Sequence, residues 1–296
     1  MKRRILVSGA SGLIGSALLR AFRSSDYDVV SLTRGQGEGR IVWDPAQELS
    51  PNLVSGFDAV VHLAGESIVG RWTAAKKRQI LESRVQGTRR LAEALARASS
   101  RPRVLVAASA VGYYGNRGDE VLREESASGS GFLAEVCRQW EEAAQAAAQA
   151  GIRTVHTRFG LVLSPEGGAL PKMLLPFRLG LGGRVGDGRQ WWSWIHIADV
   201  AGAILHTLNA EVRGPVNVVG PNPATNAEFT KALGAALSRP TIFPMPAFAA
   251  RLAFGEMGDE LLLASQRVQP AKLVASGFEF RFTDLGATLR EICRRH

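Results

Sequence analysis

Three glycines spaced three apart, Gly9, Gly12 and Gly15, stand where the apolar run Arg4-Ile5-Leu6-Val7-Ser8 gives way to a helical pattern carried by Ile14, Leu18 and Phe22. Glycines at this spacing permit chemistry that larger residues obstruct. Gly9 lets the chain turn tightly off a strand, Gly12 lets the backbone approach a pyrophosphate, and Gly15 lets the next helix lie close to the sheet. The helix N-terminus then offers free N–H groups and partial positive charge to the phosphates. Gly9, Ser11, Gly12, Leu13, Ile14 and Gly15 are therefore the candidate contacts of a dinucleotide pyrophosphate.

A second feature chooses between dinucleotides. Asp28 to Arg34 reads as the next strand and ends roughly 20 residues past the glycines, where NAD enzymes carry a carboxylate for the ribose 2′-hydroxyl. This chain has Thr33 and Arg34 there, and no carboxylate before Glu38. A guanidinium pairs with a 2′-phosphate that an aspartate would repel, so NADP is expected over NAD.

The elements that must position these groups alternate between strand and helix. Phe57 to Glu66, Val104 to Gly115, Gly151 to Leu163 and Gly214 to Gly220 read as further buried strands, with a long amphipathic stretch from Trp72 to Ala98. That order implies an α/β fold with a doubly wound parallel sheet, which takes its ligands at the C-terminal ends of the strands. Ser8 to Ser11, Arg34, Leu63 to Gly65, Ala107 to Ser109 and Arg158 to Leu161 all fall at such ends.

Taken together, the glycine triplet, Asp58-Ala59-Val60-Val61-His62-Leu63-Ala64, Ser83 to Thr88 and Ser109 to Gly115 resemble the extended short-chain dehydrogenase/reductases. The resemblance implies that Leu63, Ala64 and Gly65 lie along the cofactor, and that Arg158 to Leu161 pass the nicotinamide. It makes Ser109 and Tyr114 the candidate catalytic residues. Arg84 occupies the usual asparagine position of the V-N-V-x-G-T helix; it would reach a cofactor phosphate or remain a solvated helix charge.

One departure is decisive for mechanism. The resemblance calls for a tyrosine with a lysine four residues later, on one helix face, to move the proton. On the helix starting near Phe132, the register places Phe132 and Val136 at those positions, and neither transfers a proton. The missing pair, with Arg178 to Gly183 and Ser193 to Asp199, resembles the atypical "epimerase family protein" members, whose reaction rests on analogy with epimerases and dehydratases. Two readings follow: an NADP(H)-dependent oxidoreductase or nucleotide-sugar epimerase-like enzyme, or an NADP(H)-binding regulator without catalysis. Tyr113, Tyr114, Glu66 or a water would have to carry the proton in the first.

By the same resemblance, residues 1–164 and 193–220 form a Rossmann domain, and 165–192 with 221–296 a small C-terminal substrate-binding lid. Within it Thr225-Asn226-Ala227-Glu228 offers a capping box for a helix from Phe229 to Leu237. Trp191, Trp192 and Trp194 beside His196 read as core, with a substrate cleft as the other reading. Arg184 and Arg189 would clamp a diphosphate or lie in solvent.

Composition excludes several alternatives. The chain has 296 residues, 46% of them hydrophobic, with a net charge of +9 spread along it in short runs, so a solvated basic surface is expected rather than a nucleic-acid footprint. No run is long enough for a membrane span, and no signal segment precedes the first strand, which points to the cytoplasm. Cys137 and Cys293, with five scattered histidines, show no metal spacing. A small-molecule substrate is the expected partner, with the oligomeric state open.

Overall fold

Ile5 and Val7 fall in one buried apolar cluster and Leu6 in another. The strand they form, β1 (Arg3–Ser8), is therefore covered on both faces, as parallel strands are. The computed structural model describes residues 2–23 and 27–294; Met1, Arg295 and His296 of the basic chain ends lie outside them. With β1 the main sheet contains β2 (Tyr27–Thr33), β3 (Arg40–Val42), β4 (Ala59–His62), β5 (Val104–Ala110), β7 (Arg153–Phe159) and β11 (Gly214–Val218). Its order is β11-β7-β5-β4-β1-β2-β3, and every pairing is parallel. Winding reverses between β1 and β4, and the crevice this leaves at the strands' C-terminal ends is the ligand position of such sheets.

Helices cover both faces, as the alternating sequence predicts. On one side α1 (Leu13–Phe22) and α6 (Ile197–Asn209) bring Leu18, Phe22, Val200 and Ile204 onto Val7, Val106 and Val155. On the other, α2 (Ala74–Arg97) and α4 (Gln145–Gln149) set Leu91, Leu95, Ala144 and Ala147 against Leu6, Val60 and Leu105. After β5 the chain makes a 3-10 turn, Val111–Tyr114, before α3 (Phe132–Glu142).

The remaining elements pack beside the sheet. Helices α5 (Leu170–Arg178), α7 (Asn226–Leu237) and α10 (Leu285–Arg294) share a cluster with the buried Trp192 and Trp194. Trp192 and Trp194 therefore take their core reading, Trp192 edge-on to Phe229, whereas Trp191 is half-buried with its indole N–H on Asp119. Helix α7 starts at Asn226, three residues earlier than its apolar pattern suggests, because the Thr225–Glu228 capping box closes its first turn. Helix α5 lies within a Pro/Gly-rich stretch that offers no helical signal; Pro171 is tolerated in the first turn, where its missing N–H is not needed. Helices α8 (Ala247–Phe254) and α9 (Ala271–Ala275) complete the chain's C-terminal part.

Three short strand pairs tie these parts to the sheet. They are β6 (Val121–Leu122) with β13 (Arg267–Val268), β8 (Leu161–Leu163) with β10 (Trp194–His196), and β9 (Trp191–Trp192) with β12 (Ala224–Thr225). Among the described residues no helix is long and apolar enough to cross a membrane, and no group of acidic, His or Cys side chains could hold a metal ion.

Candidate functional site

At the end of β1 the backbone of Gly9 adopts φ 72°, and a Cβ there would stand 2.6 Å from the Leu63 carbonyl carbon and 2.7 Å from the Ala64 amide. A Cβ on Gly15 would stand 2.2 Å from the Gly9 carbonyl oxygen. Both glycines thus let one chain segment pass against another. Gly12 differs: it and Ser11 are exposed, and its Cβ would meet only the Gly9 carbonyl, at 3.3 Å. Gly12 is also the N-cap of α1, and no side chain caps that helix end. An open, uncapped helix N-terminus behind a glycine turn fits the phosphates of a dinucleotide. Leu13 and Ile14 are half-buried behind it, Leu13 against Gly167 and Gly168.

Two guanidinium groups, not one, stand at the end of β2. Thr33 is half-buried and its hydroxyl accepts the Gly35 N–H at 3.3 Å, while Arg34 is exposed. Arg40, on the adjacent β3, turns back over the same loop, donating to the Gln36 carbonyl at 3.2 Å and packing along Gly37. Sequence reasoning missed Arg40 because a three-residue edge strand leaves no period to read.

On β4, His62 is buried with its Nδ1 2.5 Å from the Ser8 hydroxyl and its Nε2 3.0 Å from the Thr88 hydroxyl. Burial lowers its pKa to about 4, so the ring is neutral and ties β1, β4 and α2 together. Beyond it Leu63 and Ala64 are half-buried and Gly65 is exposed. Arg84 lies over Gly65, where a Cβ would stand 3.3 Å from its guanidinium carbon, and over the Trp140 ring at 5.0 Å. Burial pulls the Arg84 pKa below its usual value, against the opposing charge of Glu66. Glu66 itself is held ionised chiefly by its hydrogen bond with Lys76, at 2.8 Å, which argues against it as an acid.

The register on α3 is one residue away from that expected. Gly112, just past β5, would place a Cβ 3.1 Å from Leu133 and 3.9 Å from the Cys137 sulfur, and the Cys137 thiol lies at Ser109. Phe132 instead packs on Trp72, and Val136 joins Trp72 and Ile80. Leu133 and Cys137 are thus the i, i+4 pair facing the β5 end. Burial above all pushes the Cys137 thiol up to about 12, so it stays protonated.

Behind this pair lies a buried polar cluster. The Ser109 hydroxyl donates to Glu141 Oε1 at 2.7 Å, and Arg158 forks onto both oxygens of Glu141 at 2.7 and 2.8 Å. With the proton of Ser109 directed at a carboxylate, its remaining lone pairs make it an acceptor toward any further group. Arg158 also donates to the Tyr114 hydroxyl and the Glu124 carbonyl. Burial opposes its charge, but the bonds from Glu141 outweigh that and raise its pKa. Tyr114 therefore departs from its expected catalytic role: it is fully buried, its hydroxyl reaches Asn217 Oδ1 at 2.7 Å, and burial pushes its pKa up to about 12. Arg158, 2% exposed, holds the core rather than facing an open cleft, and Leu161 donates its N–H to the Ser193 carbonyl. Tyr113 is the half-exposed phenol of the pair, its ring 3.5 Å under the Arg158 guanidinium. No described protein group hydrogen-bonds the Tyr113 hydroxyl.

Next to Gly112, Gly115 and Leu133 is a partly open cavity of about 270 Å³, also lined by Arg251, Asp259, Glu260 and Gln266. Glu260 has no local sequence signal as a site residue, since its partners Phe132 and Leu133 lie 128 and 127 residues away. Arg184 and Arg189 are both exposed, in the loop ahead of β9.

Comparison with known proteins places this geometry among relatives. The model of the NAD dependent epimerase/dehydratase family matches residues 5–220, and a domain of unknown function, DUF1731, matches residues 245–292. Epimerase family protein Mb2239 of Mycobacterium bovis is 43% identical over 290 residues, covering 96% of each chain. Human epimerase family protein SDR39U1 is 40% identical over 294 residues, covering 98% of this chain and 99% of its own. The crystal structure of human SDR39U1 isoform 2 with NADPH superposes with a TM-score of 0.91 at 39% identity, over 99% of this chain and 100% of that one.

Proposed function

The chain belongs to the NAD dependent epimerase/dehydratase family, and from that premise we propose that it binds NADP(H) and catalyses an oxidoreductase or epimerase-like reaction on a small-molecule substrate. The observation that carries the reading is the pair of Arg34, just past β2, and Arg40, which opens the neighbouring β3 and turns its guanidinium back to Gln36, beside a glycine turn that leaves the α1 N-terminus open. The bound cofactor supplies or accepts the hydride. The amides of Ser11 and of Leu13 to Gly15 hold its pyrophosphate where the Gly12 backbone lets it approach, Thr33 and Arg34 with Arg40 hold the 2′-phosphate, and Leu63 to Gly65 line the adenosine side. Arg84, lying over Gly65, reaches for a cofactor phosphate, and Arg158 and Leu161 stiffen the strand exit from beneath. Residues 165–192 and 221–296 act as the lid. The existence of an NADPH complex of human SDR39U1 supports the cofactor choice.

For the proton we assign Tyr113, the accessible phenol at the β5 end, while Ser109, 2% exposed and bonded to Glu141, holds the strand end beneath it. A second reading, an NADP(H)-binding regulator, is favoured by one observation: Leu133 and Cys137 cannot transfer a proton where the family's pair would stand. Fluorescence titration tests the cofactor. NADPH should bind at least tenfold more tightly than NADH, and Arg34→Ala should remove roughly tenfold of that preference, about 1.4 kcal/mol, while leaving NADH affinity unchanged. Equal affinities in the unmutated protein would overturn it. Tyr113→Phe should slow turnover of any substrate found by roughly a hundredfold without weakening NADPH binding. A metabolite screen without turnover, combined with a protein partner that binds only the NADPH-loaded form, would decide for the regulator.

A further inference from the structure

We propose that the cavity beside the β5 end takes a compact, non-anionic ligand rich in hydrogen-bond donors, a polyol or an amine, and rejects nucleoside diphosphate sugars. This rests on the reading above, in which the β5 end around Tyr113 is the substrate side; the cavity reaches that end at Gly112 and Gly115, which flank Tyr113 and Tyr114.

The first argument is what already fills the anion position. The N-terminus of α3 lies at the cavity, which Ser130 and Leu133 line, and such an end ordinarily attracts a phosphate or carboxylate. Here the protein's own Glu260 occupies it: Phe132 N donates to Oε1 at 2.6 Å and Leu133 N to Oε2 at 2.8 Å. Gly131, the N-cap, has φ 108°, and a Cβ on it would stand 2.5 Å from Glu260 Oε1. The glycine therefore makes room for this carboxylate. A ligand phosphate entering the cavity meets a negative charge where a phosphate-binding helix would present a positive one.

The second argument is the balance of charge. Arg251 is the cation on the cavity wall, and its Nε lies 2.8 Å from Asp259 Oδ1, so its charge is already answered. Among the described residues Glu260 has no cationic partner, and the wall carries a net negative charge inside a chain of net charge +9. Each Glu260 oxygen accepts one backbone N–H and retains acceptor capacity for a ligand O–H or N–H.

The test uses the full chain with and without NADPH. Xylitol, ethanolamine, UDP-glucose and inorganic sulfate are each titrated at millimolar concentration and followed by ligand-observed NMR. Xylitol or ethanolamine should bind, and UDP-glucose and sulfate should not. Glu260→Ala frees the α3 amides, so sulfate affinity should rise roughly tenfold or more while xylitol and ethanolamine weaken by a similar factor. Glu260→Gln keeps the side-chain volume if the alanine variant loosens the fold, and should lose amine binding in the same way. Binding of UDP-glucose to the unmutated protein would overturn the proposal, as would failure of both xylitol and ethanolamine to bind, or binding that ignores Glu260. NADPH fluorescence in the same samples reads the cofactor assignment separately, and the sulfate contrast is measured without NADPH, so either can fail alone.

Discussion

Glu141→Leu should cost about 3–5 kcal/mol of folding stability, the usual consequence of stripping a buried ion of its partner. Arg158 has a side chain 3% exposed and Glu141 one 13% exposed, joined by two short parallel hydrogen bonds. Without Glu141 the guanidinium keeps hydrogen bonds only to the Tyr114 hydroxyl and the Glu124 carbonyl, with the Tyr113 ring beneath it, all neutral, and no water can reach it cheaply. The double variant Glu141→Leu with Arg158→Met should recover most of that loss, because an apolar pair of similar volume often matches a buried ion pair. Urea unfolding of the three proteins without cofactor measures this. A single variant within about 1 kcal/mol of the parent would mean that solvent reaches the pair freely. The Glu141 and Arg158 pair thus supports the β5 and β7 ends from beneath, and Ser109 is oriented by the same carboxylate.

How much of this could be read from the residues depends on whether backbone or packing sets each feature. The glycine loop was legible because a positive φ at Gly9 and the near-contact at Gly15 admit no other residue type, so the constraint is written in the sequence itself. Arg34 follows by counting from that loop. The parallel sheet followed from apolar runs buried on both faces. By contrast, the α3 register was ambiguous: Phe132, Leu133, Val136 and Cys137 are all apolar and form two i, i+4 pairs, and only contact with Gly112 shows which faces the site. Tyr113 and Tyr114 differ by one step of a 3-10 turn, which sends one ring into the core and leaves the other at the rim. Glu260 and Arg40 come from segments whose approach is set by tertiary packing alone. The scattered basic charge gave no hint of a cavity wall of the opposite sign.

Between pH 6.5 and pH 4 the fold should lose about 3 kcal/mol of stability through His62 alone, since each unit of pKa shift is worth about 1.4 kcal/mol. Burial lowers the folded-state pKa of His62 from 6.5 to about 4, so in that window the unfolded chain binds a proton that the native state refuses. Stability is fully present above pH 6.5 and falls as the pH drops toward 4. His156, also lowered by burial, adds a contribution of the same sign, whereas Asp199, raised by burial, opposes both. The cause at His62 is structural: its two ring nitrogens face the hydroxyls of Ser8 and Thr88, and Thr88 also receives the Trp140 indole N–H. Neither hydroxyl is a counter-ion for an imidazolium. Urea unfolding at pH 7, 5.5 and 4.5 measures the slope, and His62→Gln, which keeps polar atoms toward both hydroxyls but cannot titrate, should flatten most of it. A parent protein equally stable at all three values would place the His62 ring in contact with solvent. Ser8 stands one residue before Gly9 and His62 one before Leu63, so protonation strikes where β1 and β4 deliver their loops to the cofactor crevice. NADPH affinity should therefore fall together with stability below pH 5.5.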